Sequence, residues 1–514
     1  MSALGHERST GIDAIFQFTG SGMQLFSGAI FYIIIVRLFT TTAVGAIAFF
    51  LAVVGLFSIV FSFGLGSAAQ HFISYHIGTK DYHAARWTIY KIISWGFLFA
   101  ILGTLALVFL SSDVSLIFLH NTQYSGLVRL LSIDLLGNLL FGVLNGSLLG
   151  LQNFRVSAVI NSVIWGVYYF GAIGMALYLR DLDAVVVGWI FGIFLGVFIE
   201  SLVVFRTIRH YLTPKKTGGT RTNVIMKYSF PILLSSIIGY GAAYADRFIV
   251  TGLLTLSSLG VYNFALLVAS SIGFLAVPFN NMLLPKFSYL FALGRKSEIK
   301  ENVKASSLLL SSVYVPAALG IAALSPEIIF LLGGVNYSGG SVPLAVIMIF
   351  SAIFVSQNIF TQAVASVRKT HLFLYASVAS LSANIVLSFI LIPLFGLLGA
   401  AIGFSSVYAA NFSVLAYFAM RERVVGLDLI GMLKIWVASA VMFFVVWVIS
   451  EGIMHFISYN NLFIVLYILI GFAVYSVLAR YIKIFSREDH DLVISLFPEK
   501  YARLRKLISI IMLH

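Results

Sequence analysis

Asp246 and Arg247 stand side by side inside an apolar stretch that runs from Tyr228 to Gly252. An ionised side chain in lipid is costly unless it faces protein or water, so the chemistries open to such a pair are ion pairing, cation handling or capture of an anionic head group. Arg37, Arg129 and Asp134 fall near the same end of other apolar stretches. These five charges read as an outer gate or a charge-handling group, and Arg37 and Arg129 could equally reach lipid phosphates. Polar residues, mostly uncharged, form a second set. Asp13, Gln17, Ser21, Gln24 and Gly28 follow one another at steps of four, four, three and four, which is one face of a helix. Asn138, Asn263, Asn358 and Gln362 extend the pattern to other stretches. Interhelical hydrogen bonding, at about 0.6 kcal/mol each, accounts for any single amide. Stripes on several helices point instead to a hydrophilic cavity that faces substrate.

Hydropathy decides which elements carry these residues. Of 514 residues, 60% are hydrophobic and 10% charged, with mean hydropathy +1.01; soluble domains carry roughly 25% charge. Apolar stretches of the length that crosses a bilayer as a helix, about 20 residues, lie near 12–36, 43–66, 88–110, 126–150, 157–179, 184–205, 228–251, 259–284, 306–325, 342–365, 372–392, 399–420, 433–454 and 461–480. The expected fold is therefore an all-α polytopic membrane protein of about 14 transmembrane helices. The first span reads as a retained signal-anchor, since a long polar start and the lack of a small-residue cleavage site argue against a signal peptide. With that end inside, all Lys and Arg except Arg37, Arg129, Arg180 and Arg247 fall in or beside inner segments, as the positive-inside rule requires. A multi-pass protein of the cell membrane with both termini cytoplasmic is the expectation. The net charge of +13 is dispersed over many short loops, so nucleic acid is not an expected partner.

The segment 207–227 is basic and punctuated by Pro and Gly, which marks a boundary. It separates an N-lobe (1–206, six spans) from a C-lobe (228–420, six spans), followed by two added spans (421–480) and a basic amphipathic tail (481–514) on the cytoplasmic surface. The lobes look related. An offset of 215 residues puts Gly45 on Gly260, Lys80 on Arg295 and Arg206 on Arg421. Six spans per unit is an even number, so the repeat is parallel. Gly142, Gly146 and Gly150, then Gly188, Gly192 and Gly196, and finally Gly399 and Gly403 are spaced four apart, which lets helix backbones approach closely.

Several functions are excluded or disfavoured. The chain has no cysteine, so thiolate chemistry and disulfides are out. No G-x-x-x-x-G-K-[ST] stretch is present, so ATP is not hydrolysed by this chain. His71 and His76 lack a third ligand and read as interfacial, with no metal, catalytic or cofactor site expected. A membrane-embedded glycan polymerase or ligase would need converging acids, whereas Asp113, Asp181, Asp183 and Glu451 are scattered, so no enzyme is expected. A coupling H+ or Na+ stays open, with Asp134 and Asp13 as its candidates.

Span 7 ends in a carboxylate, then come IVTGLLTLSSLGVYNFA (249–265) and LLPKFS (283–288), with IPLFGLLGAAIG (392–403) and FGLGSAAQHFISY (63–75) elsewhere. These stretches resemble the polysaccharide transporters, flippases of lipid-linked oligosaccharides within the multidrug, oligosaccharidyl-lipid and polysaccharide exporter superfamily. The resemblance implies two six-helix lobes around a central cavity and transfer of a polyprenyl-phosphate or pyrophosphate glycan from the inner to the outer leaflet. It also implies cavity roles for Asp13, Arg37, Asp246 and Arg247. Membrane lipids, the lipid-linked glycan and glycan polymerase or transferase proteins are the implied partners. The chain departs from the more cationic members in lacking a midplane arginine in spans 1, 2, 7 or 8, which favours a weakly charged or neutral glycan. The alternative is a cation-coupled multidrug exporter of the same superfamily.

Overall fold

A computed structural model describes residues 10–119, 122–211, 219–367, 371–454 and 462–484. Every regular element among them is helical. Lipid offers backbone groups no hydrogen-bond partner, so a chain this apolar satisfies them inside helices. The first half holds α1 (Thr10–Leu38), α2 (Thr41–Ser62), α3 (Leu65–Gly78), α4 (Tyr82–Phe109), α5 (Ser111–Leu119), α6 (Ser125–Gly150), α7 (Phe154–Leu179) and α8 (Leu182–Tyr211). The second half continues with α9 (Thr222–Leu253), α10 (Leu256–Ser270), α11 (Val277–Ala292), α12 (Lys296–Ala323), α13 (Ser325–Gly333), α14 (Ser341–Ile353), α15 (Gln357–Ser366), α16 (His371–Phe395) and α17 (Leu397–Arg421). α18 (Leu429–Met454) and α19 (Leu462–Tyr481) close the described chain. Thirteen helical segments among the described residues are long and apolar enough to cross a membrane, and α1 is apolar over Gly22–Leu38. The protein is an all-α, multi-pass membrane protein.

Three spans expected as unbroken rods are interrupted. The apolar run at 43–66 is α2, then Phe63 and Gly64 in left-handed conformation (φ 48° and 66°), then α3. A phenylalanine held there costs about 1–2 kcal/mol, so the break is imposed by the surroundings. The run at 259–284 is α10, a 3-10 turn over Ser271–Ala276, and α11. The third is the run at 342–365, where α14 stops at Ile353 and α15 starts at Gln357. Hydropathy is blind to such breaks because the residues on either side are equally apolar. The first two breaks occupy nearly matching places in the repeat, since 63–64 shifted by 215 is 278–279.

The chain forms two compact units, Met1–Tyr240 with Leu254–Gly260, and Gly241–Leu253 with Val261–His514. α9 thus begins in unit 1 and ends in unit 2, beyond the boundary expected at 207–227. In unit 1 the glycines of α8 seat it on α7: a β-carbon at Gly188 or Gly192 would lie 2.5 Å from Ala172 Cα or Tyr168 Cα. The start of α10 packs on α2 with equal intimacy. A β-carbon at Gly45 would overlap Leu256 O and one at Gly260 would overlap Thr41 O, while Thr41 Oγ1 lies 2.7 Å from Ser257 Oγ. The two glycines that align in the repeat therefore touch each other's helix.

Around the expected linker, α8 is described to Tyr211 and α9 starts at Thr222. The linker's described end is pinned inside unit 1. Thr220 Oγ1 lies 2.8 Å from His76 Nε2, Thr220 N donates to Thr88 Oγ1 at 3.0 Å, and Lys91 Nζ donates to Thr220 O at 3.2 Å. Burial lowers the His76 imidazole's proton affinity, which the Asp81 carboxylate partly restores. In unit 2 the α17–α18 connection is held differently, by Lys296–Glu422 (3.8 Å) and Lys304–Asp428 (3.6 Å). Lys215, Lys216 and the amphipathic tail from 485 onward lie outside the described residues.

Candidate functional site

Unit 2 builds its polar centre around Asp246, fully buried on α9 seven residues before the helix ends. That places it about 10 Å from the end of the helix. Tyr262 on α10 donates its hydroxyl to Asp246 Oδ2 at 2.7 Å and lies 3.2 Å from Ala400 O of α17. Asn384 on α16 turns Nδ2 toward Asp246 Oδ1 (3.5 Å) and donates to Ala242 O (3.0 Å). Ser388, one turn on, donates to Asn384 Oδ1 at 2.9 Å and so fixes the carboxamide's orientation. Four helices are tied by this network.

Arg247 answers the same carboxylate at 4.0 Å and is 12% exposed. Its Nε donates to Asn263 Oδ1 at 3.1 Å, its Nη1 to Ala243 O at 2.7 Å, and its guanidinium lies 4.1 Å over the Tyr244 ring. On the sequence, Asp246, Arg247, Arg37, Arg129 and Asp134 read as one outer gate or charge-handling group. In the structure the described partners of Asp246 and Arg247 all belong to unit 2. Within unit 2, Tyr262 and Asn384 are the residues the bundle brings within reach of Asp246.

Unit 1 centres on Asp134 of α6, also buried. Asn138 Nδ2 donates to Asp134 Oδ2 at 2.9 Å and Tyr168 of α7 approaches the same oxygen at 3.4 Å. Tyr168 is stacked on Trp189 of α8, with ring centroids 5.6 Å apart and planes at 9°. Asp134 Oδ1 has no hydrogen-bond partner. Arg129 is exposed and donates from Nε to Ser111 Oγ at 3.2 Å; Arg37, near the end of α1, is also exposed.

The amides expected to face substrate are distributed over both units. In unit 1, Gln24 is half-buried on α1 and Asn138 is bound to Asp134. Asp13 and Gln17 fall at the start of α1, with side chains outside the described set. In unit 2, Asn263 is buried and committed to Arg247, Asn358 Nδ2 donates to Val355 O at 3.0 Å, and Gln362 Nε2 donates to Asn280 Oδ1 at 3.2 Å. Three further buried residues stand out: Tyr262 and Tyr168 within these centres, and Glu200 apart from them. The tyrosines carry no sequence signal that separates a buried donor from an interfacial aromatic. Glu200 does, since it is an acid within the apolar run of α8.

Both centres place a buried acid against a tyrosine between helices. Residues 34–343 match a family model described as polysaccharide biosynthesis protein. The chain belongs to that family. A Haloferax volcanii protein named "Probable low-salt glycan biosynthesis flippase Agl15" is 24% identical over 204 residues, 40% of this chain and 43% of that protein. The chain thus spans under half the length of the curated relative it matches. Among solved structures, the lipid II flippase MurJ in an inward closed conformation is similar at TM-score 0.69 and 16% identity, covering 92% of this chain and 98% of MurJ. An inward-facing multidrug resistance MATE family transporter of the MOP superfamily is similar at TM-score 0.64 and 14% identity, covering 79% and 98%. A MOP superfamily transporter from Pyrococcus furiosus follows at TM-score 0.58 and 12% identity, covering 79% and 94%. At these identities the likeness is one of fold.

Proposed function

We propose that this polysaccharide biosynthesis protein is a flippase that moves a lipid-linked glycan, carried on a polyprenyl phosphate or pyrophosphate, from the inner to the outer leaflet of the cell membrane. Family membership over 34–343 carries the reading. The near-matching breaks after α2 and α10 support it, since interrupted helices at corresponding places of two repeats are where carriers bind substrate. Both termini are cytoplasmic in this reading, and transport runs by alternating access. The Gly45–Gly260 contact is the outer closure, made of backbone rather than charge. Asp13, Gln17, Gln24, Asn138, Asn358 and Gln362 meet the sugar. Arg37 and Arg129, exposed at helix ends, meet lipid phosphate. Asp246 and Arg247, with Asn263, hold the C-lobe centre, and Asp134 is available to a coupling H+ or Na+. Glycosyltransferases or polymerases work upstream and downstream.

The test is reconstitution in liposomes with a fluorescent polyprenyl-linked oligosaccharide, read as the fraction of glycan that becomes accessible to an external lectin. Accessibility that rises with protein and stops in Gly45→Leu is expected. Glycan that stays protected in protein-containing vesicles would sink the reading. The fold of the MATE transporter favours a second reading, cation-coupled multidrug export. Gradient-driven dye efflux without glycan transfer would establish it.

A further inference from the structure

α6, α7 and α8 enclose a second polar cluster in unit 1. Asn145 of α6 donates one amide nitrogen to both Glu200 Oε1 (2.7 Å) and Ser157 Oγ (3.1 Å). Asn161, one turn beyond Ser157 on α7, donates to the same Ser157 Oγ at 3.3 Å and to Ser157 O at 2.9 Å. Glu200 of α8 is completely buried, and its Oε2 has no hydrogen-bond partner. No Lys, Arg or His pairs with it among the described residues. Asn145 sits eleven residues beyond Asp134 on α6, about 16 Å along the helix, so the two acids are separate sites.

A buried acid with one unanswered oxygen is an expensive way to pack α8. A methionine or leucine of similar volume would fill the space without the desolvation cost, so packing alone does not explain the residue. The surrounding donors are all oxygen-bearing: one carboxylate, one hydroxyl and two carboxamides. Hard oxygen ligands suit hard cations. One formal negative charge matches a singly charged ion, and no cluster of three His, Asp or Glu is found among the described residues to suggest a divalent one. The Asn145 amide nitrogen lies between a carboxylate oxygen and a hydroxyl oxygen, the place where a cation would sit. Half a turn of each carboxamide would present its Oδ1 there instead.

We propose that Glu200, Ser157, Asn145 and Asn161 form a binding site for one small monovalent cation of the Na+ class. Glu200 supplies the charge, Ser157 the central hydroxyl, and the two asparagines exchange hydrogen-bond donation for ligation as the ion enters. Any coupling of this ion to glycan movement rests on the flippase reading; binding itself does not.

The experiment is equilibrium binding of radioactive Na+ to the purified full-length protein in N-methyl-D-glucamine buffer, without substrate. Saturable binding near one ion per chain is expected. Glu200→Gln should weaken it by at least about tenfold and Ser157→Ala by less. Asp113→Asn, an exposed acid on α5, should bind as the parent does. Absence of saturable binding by the parent, or unchanged binding in Glu200→Gln, would overturn the site. Should Glu200→Gln fail to fold, judged by gel filtration, unchanged binding in both Ser157→Ala and Asn161→Ala overturns it equally. A protein that binds Na+ but moves no glycan refutes the flippase alone, and one that moves glycan without binding Na+ refutes this site alone.

Discussion

In unit 2, Asp246 receives a tyrosine at 2.7 Å, an asparagine at 3.5 Å and a guanidinium at 4.0 Å, so both carboxylate oxygens have partners. In unit 1, Asp134 receives an asparagine at 2.9 Å and a tyrosine at 3.4 Å on one oxygen, and the other is unpartnered. Glu200 repeats the unit 1 pattern, with one oxygen bound to Asn145 and one left over. Both units bury acids between helices; among the described residues Asp246 of unit 2 is answered by an arginine, whereas Asp134 and Glu200 of unit 1, like Glu327 of unit 2, each keep one oxygen without a hydrogen-bond partner. A carboxylate neutralised by a fixed arginine is a structural tie. Glu200 has no such partner, and the proposed site answers it with an exchangeable ion instead.

Removing the acids tests this contrast with the largest effect. Asp246→Ala leaves the nearly buried Arg247 without its carboxylate and Tyr262 without its acceptor, and breaking a buried pair costs about 3–5 kcal/mol. A fall of the unfolding midpoint, followed by intrinsic fluorescence in detergent, is expected. Asp134→Asn should leave the midpoint unchanged or raise it, because a neutral amide avoids the cost of burying an unpaired charge while its oxygen can still accept from Asn138. Equal losses in both variants would mean that the units handle charge alike.

The tyrosines give the next effect. Tyr262→Phe removes the short hydrogen bond to a buried carboxylate, at about 1–3 kcal/mol. Tyr168→Phe removes only a long one and keeps the stack on Trp189, so its loss should be below about 1 kcal/mol. Thermal melts of the two variants rank them directly. Gly45→Ala belongs to the same range, about 1–3 kcal/mol from forced separation of α2 and α10. Disulfide trapping between cysteines at positions 41 and 257 in this otherwise cysteine-free chain would read the contact, with reduced cross-linking expected in the alanine variant.

The connections leaving each half give the smallest effect. Unit 2 pins its α17–α18 connection with exposed lysine–acid pairs, worth up to about 1 kcal/mol and screened by salt. Unit 1 pins Thr220 through a histidine whose proton affinity burial lowers. The folded state prefers the neutral ring, so this stabilisation is complete above the ordinary histidine value of 6.5 and is lost as pH falls below it. Proteolysis within 207–221 should therefore rise on acidification in the parent and lose that pH dependence in His76→Ala. Cleavage within 422–428 should respond to salt instead.

Membrane residence and about fourteen spans were legible because lipid permits only long apolar helices. The glycine ladders were equally legible, since a residue without a side chain at every fourth position has one evident use. Helix breaks at Phe63–Gly64 and Ser271–Ala276 were not, because hydropathy averages over them. Nor were the partners of Asp246. The sequence presents Asp246 beside Arg247 and places other arginines at similar depth, but it carries no distance between helices. Which side chain answers a buried charge is set within a few ångströms by α10 and α16, and only the folded bundle decides that Tyr262 and Asn384 reach it while Glu200 keeps an oxygen unanswered.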